Sequence, residues 1–355
     1  MKIKMVIYLS VIGSIFTIGT NLTYGEEILV FHDRPIVSIL STSTDGNPNR
    51  KEFIKDAALF RINENGYFTL GIGHFPNLLW YKGRIDSSFN IAGHQTLASI
   101  PPDVVSVDIS EDGKRIAWVL KSGFPNKSEL TIEEYTGKES KVLHKISVDG
   151  MIPEFSFSPD GDMLAYFWGP PEAAIKDGFS LMLLDLKNPK KPPIEIAPPS
   201  FNTGRLNPGR SIPPLWSPTG EFILFEAEYQ SENVFKVLGG RYVASIDGRI
   251  LEPFPGGNWD QDGKYLRRLK RIGDLDSGEY FLSEINIFSR EVKEYPDRIL
   301  KISGLNFNVK LSPSGRKVAY VVNKEIFVYD IMEKNTVSYG TSQSDGEFFW
   351  ISPTD

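Results

Sequence analysis

Residue types that carry enzyme chemistry are sparse in this chain of 355 residues. It has no cysteine, and it has four histidines, at His32, His74, His94 and His144. No two of them are spaced at i, i+2 or i+4, so the sequence contains no local metal-binding pair. The Gly-x-Ser-x-Gly turn of serine hydrolases, the Gly-x-x-x-x-Gly-Lys phosphate loop and the dinucleotide fingerprint are also absent. We therefore predict no catalytic residues, no cofactor and no metal site, although folding can still bring distant histidines together.

The composition narrows the class of protein. The formal net charge is −6, whereas a general nucleic-acid-binding protein is usually basic, so we predict no nucleic-acid partner. The segment Asp274–Glu279 reads Asp-Leu-Asp-Ser-Gly-Glu, a partial calcium-loop pattern that lacks the ligands of a complete site. Asp and Gly are also typical of a plain hairpin turn, which is the interpretation we favour.

A repeated turn motif predicts the architecture. In its clearest copy, Phe155–Gly161 reads Phe-Ser-Phe-Ser-Pro-Asp-Gly and leads into the apolar run Met163–Trp168. A strand, a tight turn ending on glycine and a second strand are typical of a β-hairpin. The glycines of the six copies, 43 to 59 residues apart, are Gly66, Gly113, Gly161, Gly220, Gly263 and Gly315. This spacing suits four-stranded antiparallel blades and predicts an all-β propeller.

The number of blades depends on how the two chain ends are used. Ser352–Asp355 resembles the start of one more blade, and residues 26–60 contain two strand-like runs. If these runs complete the last blade, seven blades close by pairing the chain ends, which removes exposed strand edges. We favour this arrangement. The alternative has six blades, with both ends outside the ring.

The Ser-Pro-Asp-Gly turn followed by an Ala-Tyr strand, as at Ser158–Tyr166, resembles the WD40-like repeat of TolB-type propellers. The same repeat occurs in the propeller domains of prolyl-oligopeptidase-like enzymes. The motifs cover most of residues 60–355, but each one describes a blade and not an activity. The resemblance implies an exported bacterial propeller that binds a protein or peptide partner.

Residues 1–25 have the pattern of an export signal. Lys2 and Lys4 precede the apolar run Met5–Gly19, which is shorter than the ~20 residues of a membrane-spanning helix. We predict cleavage of this signal, with an uncleaved anchor as the alternative, and no stable membrane span afterwards. The expected mature chain, residues 26–355, is a single propeller domain in the periplasm or outside the cell.

The first strand of each propeller blade lines the central channel, which makes its residues candidates for binding. The candidates in or just before such strands are Glu154, Phe155, Trp216, Trp259 and Trp350. Aromatic rings at these positions either stack a peptide or sugar, or pack between blades. Glu154 and Asp260 are also the carboxylates that a propeller enzyme would use in its channel.

The fifth copy of the motif departs from the pattern. Where other copies place a small or apolar residue and then an aromatic one, as in Ala117–Trp118, this copy places Arg267 and Arg268. Buried guanidinium groups need partners, and we predict pairing with Glu226 and Glu228 of the preceding blade. The alternatives are a strand that exposes its basic face, and a site at which the arginines hold an anionic ligand or acidic peptide.

The longest interval between the glycines of the repeated turn runs from Gly161 to Gly220. It contains two Pro-rich segments, Lys187–Pro193 and Pro198–Pro214. Their basic residues are Lys190, Lys191, Arg205 and Arg210. Loops on a rigid scaffold frequently carry recognition, although a solvated connector has the same composition.

These features predict a non-catalytic binding or scaffolding propeller that engages a protein or peptide of the cell envelope through its channel mouth and loops. The alternative function is a propeller enzyme, a lyase or hydrolase acting on envelope polysaccharide or peptide. A structural component of a surface assembly is a third possibility.

Overall fold

The computed structural model describes residues 28–33, 36–42, 48–55, 57–74, 77–86, 90–102, 104–122, 127–136, 139–170, 179–188, 190–198, 213–230, 237–254, 257–273, 277–303, 309–342 and 347–351. Within these ranges, no helix has the length and apolar character required to cross a membrane. Four features considered in the sequence lie outside the described residues: the export signal, Arg205 and Arg210, the start of the Asp274 turn, and Ser352–Asp355.

In each turn of the repeated motif, the side chain three residues before the glycine closes the turn by hydrogen bonding. Ser158 is the clearest case, since its Oγ accepts the Met163 N–H at 2.9 Å and donates to Asp160 at 2.6 Å. Gly161 follows with φ near +70°, a conformation that glycine adopts without strain. The equivalent side chains, each accepting an N–H from five residues further on, are Ser110, Ser217, Asp260 and Ser312. The repeated motif therefore forms the hairpins because it caps them.

The strands form seven four-stranded antiparallel sheets, which are the blades. Three strands of blade 1 are β1 (Ile28–Asp33), β2 (Ile36–Thr42) and β3 (Pro48–Ile54). Blade 2 contains β4 (Ala57–Ile62), β5 (Tyr67–His74), β6 (Asn77–Ile85) and β7 (Ile91–Thr96). Blade 3 contains β8 (Val104–Ile109), β9 (Arg115–Ser122), β10 (Lys127–Thr136) and β11 (Glu139–Asp149). Blade 4 contains β12 (Phe155–Phe157), β13 (Met163–Trp168), β14 (Ser180–Asp185) and β15 (Ile194–Ala197).

The remaining blades repeat this order. Blade 5 contains β16 (Leu215–Trp216), β17 (Phe222–Gln230), β18 (Val237–Ser245) and β19 (Ile250–Phe254). Blade 6 contains β20 (Asn258–Trp259), β21 (Tyr265–Ile272), β22 (Ser277–Asn286) and β23 (Val292–Ser303). Blade 7 contains β24 (Val309–Leu311), β25 (Lys317–Val322), β26 (Glu325–Asp330) and β27 (Asn335–Thr341). The last strand, β28 (Glu347–Ile351), completes blade 1.

Pairing of the two ends of the described chain closes the ring. Strand β28 lies antiparallel to β1, with Leu29 opposite Trp350 and Phe31 opposite Phe348. The prediction of seven blades closed in this way is confirmed, and the six-bladed alternative is wrong. A C-terminal strand thus supplies the first strand of a blade whose other three strands come from the N-terminal side.

The apolar core lies between neighbouring blades. Residues of β1 and β2, such as Val30 and Ile39, pack against Phe60 and Phe68 of blade 2 in one such cluster. Because successive side chains of a strand point to opposite faces, each inner strand packs against the preceding and the following blade alternately. This alternation decides which inner-strand residues are available for function.

Candidate functional site

The three predicted tryptophans join neighbouring blades. Trp216 of blade 5 donates its indole N–H to the Ser156 carbonyl of blade 4 at 3.2 Å. Trp259 of blade 6 makes the same bond to Leu215 of blade 5 at 3.0 Å. Trp350 and Lys310 are joined in the same way at 3.4 Å. In each pair the ring faces the preceding blade, as packing between blades requires.

The remaining residue of the predicted aromatic set is interior. Phe155 has no solvent-exposed surface and packs between blades 3 and 4. Trp259 and Trp350 are also buried, and Trp216 is half-buried. This structure therefore presents no open ring of aromatic side chains at these four positions.

The two arginines of blade 6 have partners, but Glu226 is not the partner of Arg267. Arg267 bonds Glu284 of its own blade at 2.7 Å and reaches a carbonyl of the next turn, Ser314, at 3.1 Å. Glu226 instead bonds a residue of its own blade, Arg241, at 2.6 Å. The predicted pairing of Arg267 with Glu226 is therefore wrong, because cross-strand neighbours within a blade lie closer than the facing blade.

Arg268 lies on the opposite face of the same strand. Its Nε donates to Ser283 Oγ at 3.0 Å, and partial burial lowers its pKa against the effect of the nearby Glu294. The side chain of Glu228, its other predicted partner, lies outside the described residues. Arg268 is therefore held in its own sheet by a hydroxyl group rather than presented alone to solvent.

Asp260 has a structural role in its turn. It is buried, and its Oδ1 accepts the N–H groups of Lys264 at 2.8 Å and Tyr265 at 2.9 Å. It thus replaces the serine found in the turns of blades 3, 4, 5 and 7. Glu154 and Asp260 were the carboxylates considered for an enzyme. The Asp260 carboxylate instead caps its own turn by accepting backbone N–H groups.

A polar position on the inner strands faces the following blade. Each of the seven blades has one residue at this position. Five of the seven are polar: Arg61, Asp108, Ser156, Asn258 and Lys310. Three bond the next blade directly, Ser156 to the Pro214 carbonyl, Asn258 to the Leu311 carbonyl and Lys310 to the Phe348 carbonyl. Leu215 and Phe349 occupy the remaining two places and pack between blades. The charged occupants belong to blades 2, 3 and 7.

Arg61, Asp108 and Glu154 converge at this position. Arg61 of blade 2 forms an ion pair with Glu154, which stands just before the inner strand of blade 4. Asp108 belongs to blade 3, between the two, and accepts the Phe157 N–H at 3.2 Å. Burial raises the pKa of Asp108 to about 6 against the opposing effect of Arg61. The predicted residue Glu154 therefore belongs to a charged group that the sequence did not identify.

Two further glutamates, Glu64 and Glu111, extend this group. They stand where the turns of blades 4, 5 and 7 carry proline. Burial, followed by the negative charges of Glu64 and Asp108, raises the pKa of Glu111 to about 8. Glu64 is reached by solvent, but the surrounding protein excludes enough water to raise its pKa, which Lys310 partly opposes. We call these residues the charged channel sector: Arg61, Glu64, Asp108, Glu111, Glu154 and Lys310.

An open cleft adjoins this sector where three turns meet. Its volume is about 480 Å³, and it is lined by Asn65, Tyr67, Arg84, Glu111, Asp112, Lys114 and Pro159. The turns of blades 2 and 3 are joined there, since Asn63 donates to the Ser110 carbonyl at 2.9 Å and Asn65 to the Glu111 carbonyl at 3.2 Å. We call this cavity the inter-turn cleft.

Part of the predicted basic loop lies on the same face of the ring as the cleft. Lys187 pairs with Asp162 at 2.5 Å, in the turn of blade 4 that also contributes Pro159 to the cleft. Lys190 and Lys191 follow, and both are exposed. Because β15 then crosses the blade, Pro198 lies at the opposite end of it.

Three of the four histidines have described side chains, which lie in separate places; the side chain of His74 lies outside the described residues. His32 is buried against the Ala57 carbonyl at 3.2 Å, and His94 stacks on Tyr81. His144 is half-buried, and burial lowers its pKa. Across the described parts of the chain, no group of three or more His, Asp or Glu residues is arranged to hold a metal ion.

Comparison with known proteins shows the fold. No protein-family model matches the chain. No curated protein matches it either. It resembles an oligogalacturonate lyase solved in complex with manganese (TM-score 0.55, 11% identity, covering 91% of this chain and 87% of the lyase). It also resembles a functionally unknown protein from Desulfotomaculum acetoxidans DSM 771 (TM-score 0.53, 13% identity, 92% and 99% coverage).

TolB from Acinetobacter baumannii is among the similar structures, with a TM-score of 0.44, 13% identity and coverage of 90% of this chain and 79% of TolB. At such identities the likeness concerns the fold alone. That fold is the propeller which the resemblance of the turn motifs implied.

Proposed function

We propose that this protein is an exported binding propeller that engages a protein or peptide of the cell envelope at the channel mouth beside the inter-turn cleft. The observation that carries this proposal is the uneven distribution of charged side chains on the inner strands and the turns beside them. All six members of the charged channel sector belong to blades 7, 2, 3 and 4. At the polar inner-strand position, blades 1, 4, 5 and 6 hold the neutral residues Phe349, Ser156, Leu215 and Asn258.

Such a wall suits an extended segment with charged side chains. Cationic and anionic groups in fixed positions orient a complementary chain and discriminate against others. The closed blades hold these groups without an ordering cost at binding, which favours affinity. Lys190 and Lys191, exposed on the same face, add a positive region beside the cleft.

The function is tested by crosslinked pull-down of the mature chain, residues 26–355, from the envelope fraction of its own cells. We expect one or a few proteins to be recovered with wild type, and at least about tenfold less with the double variant Lys190→Glu/Lys191→Glu. The matched control is Lys127→Glu/Lys141→Glu, which makes the same charge change on exposed residues of blade 3. Absence of any specific partner contradicts the binding function. Equal recovery by the Lys190→Glu/Lys191→Glu variant contradicts its placement on this face.

A lyase or hydrolase acting on envelope polysaccharide or peptide is the second candidate function, and Asp108 favours it. This carboxyl group lies next to a guanidinium group and has a pKa of about 6, which suits proton transfer near neutral pH. An enzyme of this kind predicts that Asp108→Asn lowers turnover of envelope oligosaccharides or peptides at least about a hundredfold. Its pH–rate profile should also bend near pH 6. Wild-type protein without measurable turnover rejects this candidate.

A further inference from the structure

We propose that the inter-turn cleft binds the ammonium or guanidinium group of a lysine or arginine side chain supplied by the partner. This inference rests on the proposed function, because it names the chemistry of the partner at the same face of the ring. Four observations support it. Two adjacent turns depart from the repeat, one carboxylate oxygen has no partner, the nearby positively charged side chains have partners of their own, and the residues that line the cleft suit a long basic side chain.

The departure from the repeat is the glutamate at the second position of two adjacent turns. Glu64 and Glu111 stand where three of the other four turns have proline (Pro159, Pro218 and Pro313) and the fourth has the neutral Gln261. Proline is favoured there because its fixed φ suits the second residue of a type I turn. The capping side chains of Asn63 and Ser110, together with the glycines, already close these turns, so hairpin formation does not account for the carboxylates.

One oxygen of Glu111 has no partner within the protein. Its Oε2 is shielded from solvent and receives no hydrogen bond. Buried carboxylate oxygens are normally bonded or paired with a cation. The Glu64 and Asp108 carboxyl groups near Glu111 raise its pKa further, and hydrogen bonds from the backbone N–H groups of Asn65 and Glu64 oppose them only in part. A positive charge in the adjoining cleft would relieve this repulsion.

The cations of the chain around the cleft are engaged elsewhere. Lys114 pairs with Asp112 at 3.3 Å. Arg84 lies over the Tyr67 ring, 5.1 Å from its centroid. Lys82 donates to a backbone carbonyl of the blade 3 turn at 3.5 Å, and burial lowers its pKa. Arg61 and Lys310 of the charged channel sector bond Glu154 and the Phe348 carbonyl, so a positive charge facing Glu111 would come from a partner.

The walls of the cleft suit a long basic side chain. Lysine and arginine bury an apolar stem while the charged end seeks polar partners. Pro159 provides an apolar wall, and the Asn65 amide provides a polar group close to Glu111. Arg84 and Lys114 line the same cavity and repel any cation in it, so the cleft takes at most one basic group.

Binding of a cation at this site depends on pH in a defined direction. The charged groups around Glu111 are Glu64 from blade 2, Asp108 and Asp112 from blade 3, and Arg84 and Lys114 in the cleft. A cation prefers the ionised form of Glu111, so affinity increases as the pH approaches 8 from below. Below that pH, one proton must leave for each cation bound, and affinity falls by up to about tenfold per pH unit.

The experiment measures binding of N-acetyl-L-lysine methylamide to the mature chain by amide chemical-shift titration between pH 6.5 and 8.5. The neutral comparator is N-acetyl-L-norleucine methylamide. We expect saturable shifts around the cleft with the lysine amide only, and Glu111→Gln should weaken binding at least about tenfold at the highest pH and remove the pH slope. Glu221→Gln, which removes an exposed glutamate beside the blade 5 turn, is the matched control. Thermal unfolding shows whether each variant is folded.

Three results would overturn the cation site: equal binding of the norleucine amide, no binding of either amide, or an unchanged pH slope in folded Glu111→Gln. The pull-down separates this inference from the proposed function. A partner recovered equally by wild type and Glu111→Gln would overturn the cation site and leave the binding function standing. Saturable lysine-amide binding without any crosslinked envelope protein would support the site and contradict the envelope partner.

Discussion

Replacement of Gly113 by alanine is expected to lower the free energy of unfolding by about 2 to 4 kcal/mol. Gly113 has φ near +69°, a conformation that costs about 1 kcal/mol for a residue with a side chain. A β-carbon there would also overlap the Tyr67 ring, which packs against this turn from blade 2. The ring cannot move freely, since Arg84 lies over it. Urea unfolding followed by tryptophan fluorescence measures the change.

The matched control for this prediction is Gly220→Ala in the turn of blade 5. Gly220 has nearly the same φ, +72°, but the nearest atom to its added β-carbon is Pro159 Cδ at 3.8 Å, an ordinary contact. Only the conformational cost of about 1 kcal/mol is expected there. In a Tyr67→Ala background, the effect of Gly113→Ala should fall to the same value, because the overlap is gone. Equal destabilisation of the two single variants would show that the Tyr67 contact contributes nothing.

The fold could be predicted from the sequence because the hairpin signal is local. Ser158, Asp160 and Gly161 make their hydrogen bonds within five residues of one another. The residues of the motif therefore form the turn by themselves. Closure could be predicted for a different reason. A ring of blades without closure would leave an unpaired strand edge, and residues 26–60 contain two strand-like runs that precede the first copy of the motif.

The partners of side chains between blades could not be predicted in the same way. Alignment of the copies placed Arg267 on the strand that follows the turn, but it did not say which face the side chain takes. Glu284 and Glu226 were both consistent with the sequence, and cross-strand pairing within the blade decided for Glu284. The tryptophans were ambiguous for the same reason, since a one-residue change of register exchanges the two faces of a strand.

The charged channel sector was missed although the sequence contained a signal for it. The repeat predicts proline or another neutral residue at the second turn position, and Glu64 and Glu111 violate this in two successive copies. Neither residue is needed to cap its turn, so each departure has no local structural cause. Sites that break a local rule without a local benefit are frequently functional. Convergence of Arg61, Asp108 and Glu154 required the ring itself, because these residues come from three different blades.

Removal of the last strand is expected to have the largest effect on the protein. A chain ending at residue 346 lacks β28, and with it the buried side chains of Phe348, Trp350 and Ile351. At about 2 kcal/mol for each buried side chain, the loss is about 6 kcal/mol. This is comparable with the total stability of 5 to 15 kcal/mol that is usual for folded proteins. The truncated chain should therefore be unfolded or aggregated at 25 °C, as judged by circular dichroism and size-exclusion chromatography.

The effect should come from lost closure and not from loss of a single contact. Trp350→Phe keeps an aromatic ring between blades 1 and 7 and removes only the bond to the Lys310 carbonyl, so about 1 kcal/mol is expected. A synthetic peptide of residues 347–355, added in excess to the truncated chain, should restore folding because β1 offers it the same antiparallel register. If the truncated chain keeps the wild-type urea midpoint without the peptide, pairing of β1 with β28 does not stabilise the ring. Loss of β28 should destabilise both neighbours of blade 1. Phe31 and Phe348 pack towards blade 7, and Val30 and Ile351 pack towards blade 2.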